Sequence, residues 1–118
     1  MKPDNIVSSK SLEFAVRIVR LYKYITATQH EYVLSKQLLK SGTSIGANIR
    51  EAIGGQSSND FTAKMHIALK EAYETEYWLE VLFRTDFLTR SEFNAIFKDC
   101  RELTNLLASI VKTMKEKK

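Results

Sequence analysis

The residues that could do chemistry are few. The segment SGTSIG at positions 41–46 brings together two glycines and three hydroxyl side chains, the ingredients of a phosphate-binding loop. Glu76 is a candidate carboxylate, His30 and His66 candidate metal ligands, and Cys100 the one candidate thiol. Each meets an obstacle. A phosphate loop needs a preceding strand and a lysine after its glycines, whereas Lys40 precedes them and helical periodicity flanks the segment on both sides. The histidines form neither an H-x-x-x-H nor an E-x-x-H pair, so the di-metal pattern of helical bundles is missing. Cys100 falls on an apolar stripe and reads as a small buried hydrophobe. No second carboxylate, histidine or cysteine shares a layer with Glu76, which favours structural pairing over catalysis. Neither an enzyme, a metal nor a cofactor is expected.

These residues must be positioned by helices. Four segments carry helical periodicity, roughly 9–27, 29–54, 59–85 and 90–115, within a single domain spanning 1–118. Leu12, Ala15, Val16, Val19 and Tyr22 form one stripe of the first segment, and Phe14, Ile18, Leu21 and Ile25 a second beside it. An apolar face this wide exceeds what one core requires, so the helix is central or another subunit covers part of it. Thr28-x-x-Glu31 has capping-box spacing for the second helix, and Thr89-x-x-Glu92 for the fourth. Ser57 to Asp60 supplies caps for the third. No stretch alternates with period two, so no strand is expected. Short connections predict an all-α, antiparallel up-down-up-down four-helix bundle.

In that arrangement SGTSIG lies within the second helix. Each glycine there costs about 1 kcal/mol relative to alanine, and Gly42 and Gly46 share one side of the helix. Their spacing predicts close approach of a neighbouring backbone. Asn48 and Glu76 interrupt apolar stripes and need partners. Level-matching places Glu76 near Arg17, Lys40 or Lys98, and Asn48 near residues 10, 68 and 106.

Totals set the class. The chain has 118 residues, 44% hydrophobic and 27% charged, a composition of folded domains. One cysteine excludes an internal disulfide and fits a reducing compartment. The first residues, MKPDNIVSSK, lack the apolar region of a secretory signal, and no run approaches the ~20 apolar residues of a membrane span. A cytoplasmic location follows as the expectation. The net charge of +4 is unevenly spread. Lys10, Arg17, Arg20 and Lys23 mark the first helix, and Lys112, Lys115, Lys117 and Lys118 the C-terminal end. Asp60, Glu71, Glu74, Glu76, Glu80 and Asp86 make residues 60–86 acidic. The basic positions are the candidate nucleic-acid contacts. The same asymmetry also suits attraction between helices or subunits. Tyr73, Tyr77 and Trp78 do not all fit the core stripe of the third helix and suit either base stacking or a subunit contact.

The stretches SKQLLKSGTSIGANIREA (35–52) and ALKEAYETEYWLEVL (68–82) resemble the 23S rRNA-intervening-sequence protein family. The resemblance rests on Ser44, Ile45, Asn48, Ile49 and Glu51 of the second helix and on Glu74 and Glu76 of the third. It covers nearly the whole chain. It implies a small bacterial protein forming a homopentameric ring of four-helix bundles, some members being encoded inside insertions in 23S rRNA genes. It extends to the accessory protein of diversity-generating retroelements, which is similar in fold, pentameric and basic, and binds nucleic acid and a reverse transcriptase. The shared motif reads as architectural. Expected partners are further copies of this chain and rRNA or other nucleic acid. A protein–protein scaffold without nucleic-acid contact is the alternative.

Overall fold

The computed structural model describes residues 3–117. They form α1 (Pro3–Gln29), α2 (Leu34–Ile53), α3 (Ser58–Arg84) and α4 (Arg90–Glu116). All described regular structure is helical.

Three of the ends are set by side-chain caps. Ser57 accepts from the Asp60 N–H at 3.1 Å and starts α3. Thr89 and Glu92 form a reciprocal capping box, at 3.1 and 2.8 Å, and start α4. The start of α2 differs from the sequence expectation. Thr28 belongs to α1, where its hydroxyl donates to the Tyr24 carbonyl. His30 then takes a left-handed conformation, φ 54°, which breaks the helix. Glu31 alone caps α2: its carboxylate accepts from the N–H groups of Val33, Leu34 and Ser35 at 3.0, 2.7 and 2.8 Å. The helix therefore begins at Leu34 rather than near residue 29. Burial works to raise the pKa of Glu31. The N–H groups of Leu34, Ser35 and Val33 and the Ser35 hydroxyl outweigh it and hold the carboxyl below its ordinary value. At the other end, α1 begins at Pro3, not near residue 9. Proline is tolerated in a first helical turn, and Val7, fully buried, gives the added turns an apolar anchor.

The helices run antiparallel. Gly42 faces Ile18 and Gly46 faces Ser11, so α1 and α2 ascend in opposite senses. Ser41 meets Thr75 and Glu51 meets Lys64 across α2 and α3. Phe93 stacks on Phe83 and Thr104 meets Glu76 across α3 and α4, again in opposite senses. Each helix approaches only its two neighbours in the ring α1–α2–α3–α4, giving a bundle of 47 × 23 × 21 Å. Ile18, Ile45, Leu79 and Leu107, one from each helix, are fully buried at its centre.

The α1/α2 seam is close at both glycines. A Cβ on Gly42 would lie 2.9 Å from both Ile18 γ-carbons. One on Gly46 would lie 3.1 Å from the Ser11 hydroxyl. The wide apolar face of α1 divides accordingly. Phe14, Ile18 and Ile25 enter the core, whereas Leu12 and Val16 remain 54% and 42% exposed.

Candidate nucleic-acid interface

Glu76 of α3 accepts from the Arg101 guanidinium at 3.1 Å and from the Thr104 hydroxyl. Both partners belong to α4, one and two turns beyond the expected Lys98. Arg17 and Lys40 play no part. Asn48 donates to the Ser44 carbonyl of its own helix at 2.8 Å, not to residues near 10, 68 or 106. Glu51 bridges α2 to α3 through Lys64 at 2.9 Å, and Glu74 accepts from the Trp78 indole at 3.1 Å. Among the described residues every buried side-chain polar atom has a partner. The motif residues are thus tied into hydrogen bonds within and between helices.

Contrary to the sequence expectation, a cysteine does share the Glu76 layer: Thr104 donates to both the Glu76 carboxylate and the Cys100 carbonyl. Cys100 is buried and donates to the Ala72 carbonyl; burial, aided by the Glu76 charge, pushes its pKa up to about 12. Such a thiol is not a nucleophile at neutral pH. Among the described residues no three His, Cys, Asp or Glu side chains converge on a possible metal position. A cleft of about 220 Å³ between α1 and α2 is lined by Ser11, Leu12, Ala15, Thr43, Ala47 and Arg50. It is smaller than the roughly 300 Å³ at which ligand pockets begin. Arg50 is its one charged group.

The candidate basic contacts fall into three groups. Lys10 pairs with Glu102, and Arg17 with Asp99, both on α4. The hydrogen bond and charge of Glu102 raise the pKa of Lys10. These two cations, 44% and 42% exposed at the side chain, are neutralised within the chain. Arg20 and Lys23 border a shallow hollow with Ala15, Val16 and Val19. Neither has an ion-pair partner among the described residues, and both are exposed. Lys112, Lys115 and Lys117 are exposed on the last turns of α4 and just beyond. Lys118 lies outside the described residues. The Arg17–Asp99 pair sets the register of α1 and α4, from which Lys112 lies ~24 Å along the bundle axis from Arg20 at 1.5 Å per residue.

Sequence reasoning missed another basic surface. It treated residues 60–86 as acidic, but helical geometry separates their charges. Glu71 lies beside Ser44 and Lys40 of α2, where burial and the nearby Glu74 raise its pKa. Lys70 and Arg84 fall on the opposite flank with Tyr73 and Tyr77, which are 50% and 58% exposed. Lys98 and Arg101 of α4 border the same flank. The signal was present in the spacing of Lys70, Tyr73, Tyr77 and Arg84, which recur at three, four and seven residues.

Comparison with known proteins adds a family. Residues 3–109 match the model of a family described as 23S rRNA-intervening sequence protein. The chain is also similar to a solved structure from Bacteroides thetaiotaomicron, described as a protein with unknown function from the S23 ribosomal protein family. The two share 59% sequence identity with a TM-score of 0.92, over 94% of this chain and 99% of that chain. No curated protein matches the sequence.

Proposed function

The chain belongs to the 23S rRNA-intervening sequence protein family, and on that premise we propose that it is a non-enzymatic oligomer that binds RNA or other nucleic acid through phosphates. The observation that carries this reading is the set of exposed cations without an ion-pair partner among the described residues. Arg20 and Lys23 on α1 and Lys112, Lys115 and Lys117 at the end of α4 stand on a chain of net charge +4. Lys118 extends the terminal group in sequence. Contacts of this kind are blind to sequence and release counterions on binding. Lys10 and Arg17 contribute less, because Glu102 and Asp99 compete with phosphate for them. Among the described residues no helix is long and apolar enough to cross a membrane. Placement in the reducing cytoplasm of a bacterium completes the reading, and the lone buried cysteine is compatible with it.

Self-association belongs to the same proposal. Leu12 and Val16 expose an apolar strip on α1, and burying it between copies would remove that area from water. Five copies in a ring, as the family resemblance implies, would bring their cations together by symmetry. The Lys10 and Arg17 ion pairs favour a second reading, a protein scaffold held by the apolar strip without nucleic acid.

Filter binding to rRNA fragments across a salt series tests the proposal. Affinity should fall linearly with salt on logarithmic axes. Arg20→Glu with Lys23→Glu should lower both affinity and the slope, each lost phosphate contact on a duplex removing about 0.9 from it. No binding at low salt would sink the nucleic-acid reading and leave the scaffold. Sedimentation of Leu12→Lys with Val16→Lys checks assembly independently: the mass should drop.

A further inference from the structure

The flank between α3 and α4 carries an aromatic and cationic surface that, Lys112 apart, the phosphate reading leaves without a role. Lys70, Tyr73, Tyr77, Glu80 and Arg84 follow one another at intervals of three and four residues along one side of α3. Tyr73 and Glu80 stand three before and four after Glu76, whose carboxylate meets Arg101. The strip therefore borders α4. There Lys98, Arg101, Asn105 and Lys112 continue it at helical spacing, all exposed. Arg101 is paired with Glu76, which leaves Lys70, Arg84, Lys98 and Lys112 without an ion-pair partner among the described residues, beside Glu80 and the Trp78-bound Glu74.

One of the two tyrosines is held in place. Tyr77 meets the Trp78 ring edge-on, with centroids 5.0 Å apart and planes at 76°. The Trp78 indole is in turn fixed by Glu74. Tyr77 thus presents a positioned ring that is 58% exposed. The two tyrosines are four residues apart, ~6 Å along the helix at 1.5 Å per residue. Bases within a duplex strand repeat at about 3.4 Å. Rings this far apart suit neighbouring bases drawn away from each other rather than bases stacked in a duplex. Flanking cations supply phosphate contact on both sides of such a strand.

We propose that this α3/α4 flank binds single-stranded nucleic acid, with unpaired bases stacked on Tyr73 and Tyr77 and phosphates held by Lys70, Arg84 and Lys98. This rests on the phosphate-binding reading above and adds which form of nucleic acid is preferred and where its bases sit.

The test is fluorescence anisotropy with a labelled oligouridine and a blunt RNA duplex of equal length, using the full chain. Wild type should prefer the single strand. Tyr73→Ala with Tyr77→Ala should weaken oligouridine binding tenfold or more, since stacking on one aromatic ring accounts for roughly that factor. Duplex affinity should change less than twofold, and Tyr73→Phe with Tyr77→Phe should keep the preference. Ultraviolet cross-linking of wild type to oligouridine should mark the peptide containing both tyrosines. Oligouridine binding that is indifferent to the alanine pair overturns the stacking surface and leaves phosphate binding intact. Absence of binding to either strand overturns both. A drop in sedimenting mass on alanine substitution, without RNA, assigns the rings to a contact between copies and likewise overturns it.

Discussion

Substituting alanine for each seam glycine in turn should give unequal results, although the two positions have the same helical spacing. At either site the helix gains about 1 kcal/mol from losing a glycine. At Gly42 the new methyl would lie 2.9 Å from both γ-carbons of Ile18, against an optimum of about 3.5–4.0 Å. Those carbons sit at the branch of a fully buried side chain and cannot swing aside. Overpacking of this kind costs about 1–3 kcal/mol, and so direct a clash belongs in the upper half of that range. Gly42→Ala should therefore be net destabilising by about 1–2 kcal/mol. At Gly46 the nearest atom is the Ser11 hydroxyl at 3.1 Å, a terminal atom that can turn. Turning it loosens its 2.8 Å bond to the Ser8 carbonyl, worth about 0.5–1.5 kcal/mol, so Gly46→Ala should be neutral within about 1 kcal/mol. Urea unfolding at fixed protomer concentration measures both, and the Gly42 midpoint should fall by roughly 0.5–1.5 M at usual slopes. Ile18→Ala removes both offending carbons. In that background Gly42→Ala should become favourable, a coupling of about 1–3 kcal/mol. A Gly42→Ala protein at least as stable as wild type would refute close contact at this seam.

Three further outcomes follow from individual side chains. Glu31→Ala should destabilise α2 by about 1 kcal/mol at neutral pH, as loss of a helix cap does. Because the folded pKa is lowered from 4.5, the Glu31 contribution is fully present above pH 4.5. It is lost as pH falls through the folded value, so the two melting curves should converge in acid and stay separate above pH 5. Thr104→Val should lower stability by about 1–3 kcal/mol in thermal unfolding, since Glu76, mostly buried, keeps only Arg101 as an interhelical partner. Cys100, fully buried with a pKa pushed up to about 12, should resist a thiol-specific disulfide reagent at neutral pH and react once urea unfolds the chain. Prompt reaction of the folded protein would contradict the burial.

Much of the bundle was legible because amphipathic periodicity is a local property. The cap residues Ser57, Thr89 and Glu92 could be read directly, since a capping side chain reaches only three residues along the chain. Thr28 and Glu31 have the same spacing as Thr89 and Glu92 and misled for a local reason. His30 adopts a left-handed conformation between them, so α1 keeps the threonine and α2 takes the glutamate. The extra turns at the start of α1 were hidden because Asn5, Ser8 and Ser9 are weak helix formers. Buried Val7 supplies what local preference does not.

The number and kind of the helices, the glycine seam and the family motif were legible in the chain alone, because each rests on neighbours within a turn or two. Which charges are free is a matter of how the helices pack. Lys10 and Arg17 look like available cations until α4 brings Glu102 and Asp99 beside them. Residues 60–86 look acidic until helical geometry sets Glu71 on the α2 side, apart from Lys70, Tyr73, Tyr77 and Arg84. A charge is cancelled by whatever lies within a few ångströms of it, and in a bundle that neighbour is on another helix, some eighty residues away along the chain in the case of Arg17 and Asp99.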